Sequence, residues 1–510
     1  GLFSQPQSIV PKWGRYEQQF RSATNYPNPL EDATLKVYLT SPLGENFTTY
    51  GFWDGGKVWR VRFSPNFPGK WKFRTVCSDA ANQGLHNITG EFTCTVEDKR
   101  SAFDRHGAVR VARDNRHFEY EDHTPFFWLA DTVGNGAIRS TLKDWQSYAQ
   151  VRSAQKFTAV EWQALEEKAD ESAVFLKAGH LDVNPEYFRK LDAKADALNR
   201  AGLLDAIIPF TKGTMAGTNS VDALPEEQAI ALLRYFVARW DANDVAWLLP
   251  CDDARPGRWK RIGRAVFGEI THAPVVVNSG EASWMLDELR AEPWVNALGY
   301  QCSQDMTDDA LQLMIAGPVT KDWPKEPTRP LINLALPREN QAQPSDMLRR
   351  AAYWSFLSAP LAGVTFVNAT VSTWDTTVNS NSVDDRQAWQ TALLSPGATN
   401  MGILADAFSS IAFWRLRPAT DLLVGQNAPD MTYIAAARSE ESDLAAVYVP
   451  QSKPVELNVK PLPKSTAAIW IDPRTGQRSS VAFSPSGPTE KMLPPSGSHD
   501  WLLFIAGSAN

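Results

Sequence analysis

The stretch 184–210, NPEYFRKLDAKADALNRAGLLDAIIPF, combines a helix with the strand that follows it. Asn184 is of a residue type that caps helices, and Leu191 and Leu198 fall on one helical face. Gly202 is placed to end the helix. The next residues, LLDAIIPF, have the nearly continuous apolar character of a strand that is covered on both faces. The stretch therefore predicts a helix that packs against a parallel sheet.

The same alternation of strand and helix runs through residues 99–418. The predicted strands are TPFFWLAD (124–131), KFTAVEWQ (156–163), LLDAIIPF (203–210), VAWLLP (245–250), APVVVNS (273–279), NALGYQC (296–302), RPLINLA (329–335) and AGVTFVNAT (362–370). Further helices are predicted near 141–155, 225–240, 258–270 and 345–358. Eight apolar strands that alternate with helices predict an α/β fold, a (β/α)₈ TIM barrel.

A doubly wound sheet is the alternative fold, and it requires a nucleotide-binding fingerprint. The nearest match, GNGAIR at 134–139, lacks the third glycine and does not join a strand directly to a helix. The barrel is therefore preferred.

The two ends of the chain have a different pattern. Residues 1–98 and 419–510 contain short alternating runs broken by Pro, Gly and Asn, which is typical of β-sandwiches. We therefore predict three domains: an N-terminal β-sandwich (1–98), the barrel (99–418) and a C-terminal β-sandwich (419–510).

Composition excludes several classes of function. The net charge is −7 and no Lys/Arg-rich run occurs, so nucleic acid is not an expected partner. No apolar run reaches the ~20 residues that span a bilayer. The His and Cys spacings match no metal-binding motif, and we expect neither a metal nor a cofactor. The oligomeric state is not predicted.

The chain opens GLFSQPQSIV without an initiator Met, which suggests a removed signal peptide or a trimmed start. A periplasmic or secreted bacterial protein is expected. Cys77 and Cys94 lie in strand-like runs that could pair as a hairpin, and a disulfide between them would suit that location.

Polar and aromatic residues at the strand ends are the candidate site, because the carboxyl ends of barrel strands face the active site. Two carboxylates on opposite sides of a sugar ring are the minimal machinery for glycoside hydrolysis. No G-x-S-x-G motif or Ser/His/Asp order competes with this chemistry. The candidates are Trp128, Asp131, Glu161, Trp162, Asp252, Asn278, Gln301, Ala335, Glu339, Asn368 and Trp374.

Several motifs carry a resemblance to a known family. TPFFWLADT, NPEYFRKLDAKADALNRAGL, VAWLLPCDD and WIDPRTG, together with WGRYEQQF and GEFTCTV near the start, resemble the apiosidase-like bacterial glycoside hydrolases almost from end to end. The resemblance implies a sandwich, a catalytic barrel and a small C-terminal β domain. It implies hydrolysis of plant or algal polysaccharide side chains, with a polysaccharide or oligosaccharide as the partner.

The resemblance also implies roles for individual residues. Asp252 corresponds to the family's fourth-strand general acid, although Pro250 and Cys251 replace two glycines. In RPLINLALPRE, the last residue, Glu339, matches the family's final Glu, whereas the expected nucleophile or base falls on Ala335.

Three explanations for Ala335 remain open: deliberate replacement, natural loss of the Glu, or transfer of its role to Glu339 or Glu161. A catalytically inactive carbohydrate-binding relative and a polysaccharide lyase are the alternative functions.

Overall fold

The computed structural model describes residues 9–96, 101–166, 174–177, 179–210, 224–251, 256–281, 286–378, 385–463, 466–495 and 497–507. It confirms the predicted class, a closed eight-stranded parallel barrel between two β-sheet domains. Among the described residues, no helix is long and apolar enough to cross a bilayer.

The N-terminal domain is a seven-stranded sheet in the order β1-β7-β6-β3-β4-β5-β2. Its elements are β1 (Ile9–Pro11), β2 (Tyr16–Arg21), α1 (Pro29–Asp32), β3 (Leu35–Thr40), β4 (Asn46–Trp53), β5 (Val58–Phe63), β6 (Gly69–Cys77) and β7 (Thr89–Thr95). The sheet folds over itself, and Tyr16 on β2 stacks on Phe92 of β7 with ring centroids 3.8 Å apart.

A disulfide between Cys77 and Cys94, which the sequence leaves open, does not form. The register of β6 and β7 places Cys94 opposite Gly69, whereas Cys77 ends β6 and lies opposite Leu35 of β3. Because β6 is nine residues long, Cys94 of β7 lies beside the first residue of β6, whereas Cys77 is its last residue. Hairpin pairing could be predicted from the sequence, but its register could not.

A short cap closes the amino-terminal end of the barrel. It consists of α2 (Ala102–His106), β8 (Val109–Val111), β9 (Phe118–Tyr120) and β10 (Pro125–Phe126). Phe103, Phe118 and Phe126 pack in one cluster with the residues that fill the barrel. This end is therefore sealed by apolar side chains.

The barrel contains all eight predicted strands in chain order around the ring. They are β11 (Trp128–Thr132), β12 (Ala159–Gln163), β15 (Leu204–Ile208), β16 (Val245–Pro250), β17 (Val275–Glu281), β18 (Ala297–Gln301), β19 (Leu331–Ala335) and β20 (Gly363–Phe366). A two-stranded hairpin, β13 (Val174–Lys177) and β14 (His180–Val183), follows β12.

The helices surround the strands. They are α3 (Gly136–Arg139), α4 (Leu142–Ala154), α5 (Pro185–Arg200), α6 (Glu226–Trp240), α7 (Pro256–Phe267), α8 (Asp287–Arg290), α9 (Asp308–Ile315), α10 (Pro318–Asp322), α11 (Ser345–Ser358), α12 (Ala369–Ser372), α13 (Ala388–Ala392) and α14 (Pro396–Ser409). Asn184 caps α5 as predicted, accepting a hydrogen bond from the backbone N–H of Glu186.

The C-terminal domain has a six-stranded sheet, in the order β21-β22-β23-β28-β25-β26, and a two-stranded sheet of β24 and β27. The strands are β21 (Leu416–Pro418), β22 (Ala435–Ser439), β23 (Leu444–Val449), β24 (Val455–Asn458), β25 (Thr466–Ile471), β26 (Arg478–Phe483), β27 (Thr489–Met492) and β28 (Trp501–Gly507).

Buried charges join both flanking domains to the barrel. Arg62 on β5 donates to Asp192 of α5 at 2.9 Å, and Arg239 of α6 donates to the same carboxylate twice at 2.8 Å. At the other side, Arg349 of α11 forms a two-hydrogen-bond pair with Asp500, at 2.8 and 2.6 Å. Paired ions of this kind are costly to separate, so they hold the domains in register.

Candidate active site at the carboxyl end of the barrel

Alternation along the strands determines which side chains face the inside of the barrel. One apolar cluster fills the interior, whereas Leu129, Val160 and Val277 belong to the cluster between strands and helices. The barrel strands contribute the following residues to this interior cluster: Trp128, Ala130, Ala159, Leu204, Ala206, Ala246, Leu248, Val276, Ala297, Ile332 and Leu334. The next inward positions, toward the carboxyl ends, therefore belong to the barrel mouth.

Those next positions are polar on several strands. Because side chains alternate along a strand, the residue two positions after an inward-facing one also faces inward. Thr132 therefore follows Ala130 on the inward face, at the mouth. Glu161 follows Ala159, and Asn278 follows Val276, in the same way. Asn278, in the middle of β17, and Gln301, at the end of β18, are half-buried. Of the predicted site residues that the structure describes, Glu161, Asn278, Gln301 and Ala335 thus face inward at the level of the mouth.

Glu161 is a buried carboxyl group inside the barrel, with 3 % of its surface exposed. Its Oε1 accepts a hydrogen bond of 2.6 Å from the hydroxyl of Thr365 on β20, and that hydroxyl accepts one of 3.2 Å from Trp128 Nε1. Burial raises the pKa of Glu161 to about 8; the Thr365 bond opposes this shift, and the Asp131 charge adds to it. At neutral pH the group is therefore mainly protonated and can donate a proton.

Ala335 reaches the inner wall through an irregularity in the strand register. Tyr300 pairs with Asn333 but the next residue, Gln301, pairs with Ala335, so that Leu334 is an extra residue in β19. Such a bulge turns two consecutive side chains toward the same face. Ala335 consequently lies beside Gln301.

Position 335 lies at the level of Thr365, the hydrogen-bond partner of Glu161. The backbone N–H of Leu336 donates to the carbonyl oxygen of Thr365 at 3.0 Å, so Ala335 and Thr365 lie at the same level of adjacent strands. Thr365 in turn bonds Glu161. A longer side chain at position 335 would therefore project into the mouth at the level of Thr365.

Asp131 and Trp162 do not face the mouth, contrary to the prediction. Asp131 is fully buried against α4, where its Oδ2 accepts from Arg152 at 2.6 Å and from Tyr148 at 2.7 Å. Trp162 donates to Asp205 at 2.8 Å in the same layer between strands and helices. Asp131 directly follows the inward-facing Ala130, and Trp162 directly follows the inward-facing Glu161. Because side chains alternate along a strand, both point outward.

Trp128 and Trp374 are also unavailable to a ligand. Trp128 faces inward but is fully covered in the interior cluster. Trp374 is 3 % exposed and stacks on Trp389, with ring centroids 4.1 Å apart, in the layer outside the strands. The large apolar surface of these rings is used in packing, so neither residue fits the substrate-binding role predicted for it.

Glu339 and Asn368 hold two loops together. Asn368 Nδ2 donates to Glu339 Oε1 at 2.9 Å, while its Oδ1 caps α12. Glu339 Oε2 lies so close to Gly397 of α14 that a Cβ there would be 1.9 Å away. With 7 % and 6 % of their surfaces exposed, the two residues form an internal contact.

Asp252, the predicted general acid, lies outside the described residues. It follows the last residue of β16, Pro250, by two positions. Among the described residues, no group of three or more His, Cys, Asp or Glu side chains could hold a metal ion.

Sequence reasoning missed Thr365 and Thr132. Thr365 lies two positions after Gly363, and Thr132 lies two positions after Ala130. Gly363 and Ala130 both face inward. At Gly363 an added Cβ would lie 1.9 Å from the Trp128 carbonyl oxygen, which explains the glycine. On the first, second and last strands, the small residues Ala130, Ala159 and Gly363 mark the inward face, whereas other strands carry Leu or Ile there.

Comparison with known families covers most of the chain. A family model described as "Apiosidase-like, catalytic domain" matches residues 112–415. A model for a domain of unknown function matches residues 9–78, and one described as "Putative collagen-binding domain of a collagenase" matches residues 418–506. None of the curated proteins compared with the chain matches it.

Solved structures show the same fold. A putative glycoside hydrolase from Bacteroides vulgatus aligns over 98 % of this chain and 100 % of its own, with a TM-score of 0.72 and 18 % identity. A glycoside hydrolase family 5 protein from the same organism aligns over 81 % of this chain and 96 % of its own, with a TM-score of 0.66 and 16 % identity. At these identities the likeness establishes the architecture alone.

Proposed function

The chain belongs to the family with an apiosidase-like catalytic domain, and from this premise we propose that it is a glycoside hydrolase whose carboxylate pair is incomplete at Ala335. The proposed substrate is a side chain of a plant or algal polysaccharide, bound at the carboxyl end of the barrel. A periplasmic or secreted location is part of the proposal, because such a polymer is met outside the cytoplasm.

The observation that carries the proposal is the position of Ala335. It lies on the inner wall beside Gln301, at the level of Thr365, where a longer side chain would reach the space above the interior cluster. The half-buried amides of Asn278 and Gln301 offer donors and acceptors to sugar hydroxyls. The wall therefore supports binding, while the methyl group at position 335 can neither attack nor remove a proton.

Hydrolysis needs two groups with different protonation states. We assign Asp252 as one of them from its place two residues after β16. Since a single carboxyl group cannot both donate a proton to the leaving oxygen and activate the nucleophile in one step, the present chain should bind its glycan and turn it over slowly.

Glu161 supports a second candidate function, hydrolysis without position 335. It is inward-facing, and with a pKa of about 8 it is protonated at neutral pH, as a general acid must be. In that case Asp252 would act as the base or nucleophile, and the chain would already be an ordinary hydrolase.

The test is a set of variants at position 335, measured on pectic and algal glycans. Ala335→Glu should raise the release of reducing sugar by roughly 10²–10⁴-fold, the contribution of one acid or base. Ala335→Gln, the matched control, fills the same space without a carboxylate and should stay slow. All three proteins should bind the glycan in calorimetry, and Asp252→Asn in the Ala335→Glu background should abolish the gain.

Three results separate the alternatives. A slow Ala335→Glu on glycans that it binds would refute the incomplete pair. Rapid turnover by the unmodified chain, lost in Glu161→Gln, would establish the second candidate. New absorbance from unsaturated uronate would indicate a lyase. If Ala335→Glu is active, the distance between the introduced carboxyl group and that of Asp252 predicts the stereochemistry. A distance of about 5–5.5 Å predicts retention of the anomeric configuration, and about 6.5–9.5 Å predicts its inversion.

A further inference from the structure

Arg290 is a buried arginine at the closed end of the barrel, away from the candidate active site. It is the last residue of α8, which precedes β18, and 4 % of its surface is exposed. Within the described part of the chain, its Nε and Nη2 have no hydrogen-bond partner. Other buried arginines in this part of the chain leave one nitrogen without a partner, but Arg290 leaves both nitrogens of one edge, which can bind a further group.

In other arginines of this protein, the same two nitrogens, Nε and Nη2, bind both oxygens of a carboxylate. Arg349 uses its Nε and Nη2 to bond both oxygens of Asp500, at 2.8 and 2.6 Å. Arg264 uses the same two nitrogens on Glu292, at 2.9 and 2.7 Å. Arg290 presents this fork without the two oxygens, and the fork geometry matches a carboxylate, sulfate or phosphate.

The carboxylates near Arg290 are engaged elsewhere. The Asp287 Oδ1 atom is 3.9 Å from Arg290 Nε, beyond hydrogen-bond distance, and its Oδ2 accepts from Lys325 at 2.7 Å. Lys325 also lies 3.0 Å from Asp322. Both oxygens of the exposed Glu326 accept hydrogen bonds from Thr328. Attraction from these acids is outweighed by burial, which lowers the pKa of Arg290.

Further positive charge surrounds the same place. Arg329 donates to the carbonyl oxygen of Arg290 at 3.1 Å. Arg116 and Arg417 lie 3.6 and 5.7 Å from the ring centroid of Trp323. Burial, followed by the charge of Arg417, lowers the pKa of Arg116 to about 10, and the charge of Arg290 contributes. Four arginines are thus neighbours where α8, the cap and the start of β19 come together, and the acids Asp287, Asp322 and Glu326 offset part of their charge.

We propose that Arg290, with Arg116 and Arg329 beside it, binds a small inorganic oxyanion, sulfate or phosphate, at the closed end of the barrel. Two oxygens of the ion occupy the Nε and Nη2 fork, and its charge offsets the crowded guanidinium groups. Because only 4 % of Arg290 is exposed, a free ion fits the site better than a group carried on a polymer. The site is independent of the proposed hydrolysis.

The experiment is calorimetric titration of the full chain with sodium sulfate, sodium phosphate and sodium acetate in chloride buffer at constant ionic strength. Sulfate or phosphate should bind with one ion per chain, and acetate more weakly. Arg290→Met should weaken binding at least about tenfold, since a charge-assisted pair of hydrogen bonds is lost. The control Arg261→Met removes an exposed arginine that pairs with Glu226 and should leave the affinity unchanged.

Arg290→Lys covers the case in which Arg290→Met does not fold, because it keeps a charge but has no two-nitrogen edge. It should also lose at least about tenfold in affinity. The melting temperature should rise with sulfate or phosphate in the wild type and not in either Arg290 variant. Absence of binding to the wild type, or equal binding by wild type and variants, overturns the site. Tighter binding of acetate overturns the choice of ligand.

Discussion

Replacing Glu161 by glutamine is expected to remove a pH dependence from the stability of the barrel. Burial raises the pKa of this carboxyl group from 4.5 to about 8. Because the native pKa is higher than the unfolded one, the native state binds more protons between these two pH values. The stabilisation is fully present below pH 4.5 and is lost as the pH rises through about 8.

The size of the effect follows from the pKa difference. One pKa unit corresponds to about 1.36 kcal/mol, so the change from 4.5 to about 8 amounts to roughly 5 kcal/mol of unfolding free energy. Glutamine resembles the protonated acid in size and keeps an oxygen that can accept from Thr365. Glu161→Gln should therefore match the wild type near pH 4 and exceed its stability by roughly 5 kcal/mol near pH 9.

Urea unfolding of both proteins, followed by circular dichroism at about pH 4 and about pH 9, measures this difference. The difference between the two proteins, rather than either stability alone, isolates Glu161 from other titrating groups. Glu186→Gln removes an exposed carboxylate of α5 and controls for the change in net charge. A stability difference that is the same at both pH values would show that Glu161 is not desolvated as described.

The remaining predictions concern buried ion pairs. Arg152→Met leaves Asp131 without its charged partner and should lower the unfolding free energy by roughly 3–5 kcal/mol. The glycan affinity per folded molecule, measured by calorimetry, should stay unchanged. A selective loss of affinity would show that Asp131 belongs to the binding site. Arg349→Met should cost a similar amount, roughly 3–5 kcal/mol, and should let limited proteolysis cut near residue 416 before the barrel unfolds. A single cooperative transition with unchanged cleavage would show that Arg349 and Asp500 do not hold the C-terminal domain.

The barrel could be predicted because its signals are local. Each strand is a short apolar run, and each helix has its own face and end residues, as in the stretch 184–210. Which side of a strand faces inward is harder to predict, because a strand in a parallel barrel is buried on both sides and shows no polar alternation. Asp131 and Trp162 were assigned to the mouth for that reason, although each is one position away from the inward face.

Long-range geometry accounts for the other errors. The separation of Cys77 and Cys94 depends on the register between β6 and β7, which a hairpin pattern does not specify. The role of Glu339 depends on Asn368 and Gly397, which approach it only in the folded chain. Neither contact produces a pattern in the nearby sequence.

The extra residue in β19 has a consequence for how this lineage can change. The bulge at Leu334 aims position 335 at the mouth whatever its side chain is, so the backbone needed for a carboxylate there persists in a chain that has alanine. As long as the register shift is kept, a carboxylate introduced at position 335 by mutation would face the mouth without any rearrangement of the backbone. Removal of the bulge would turn position 335 outward, and a carboxylate there would no longer reach the mouth.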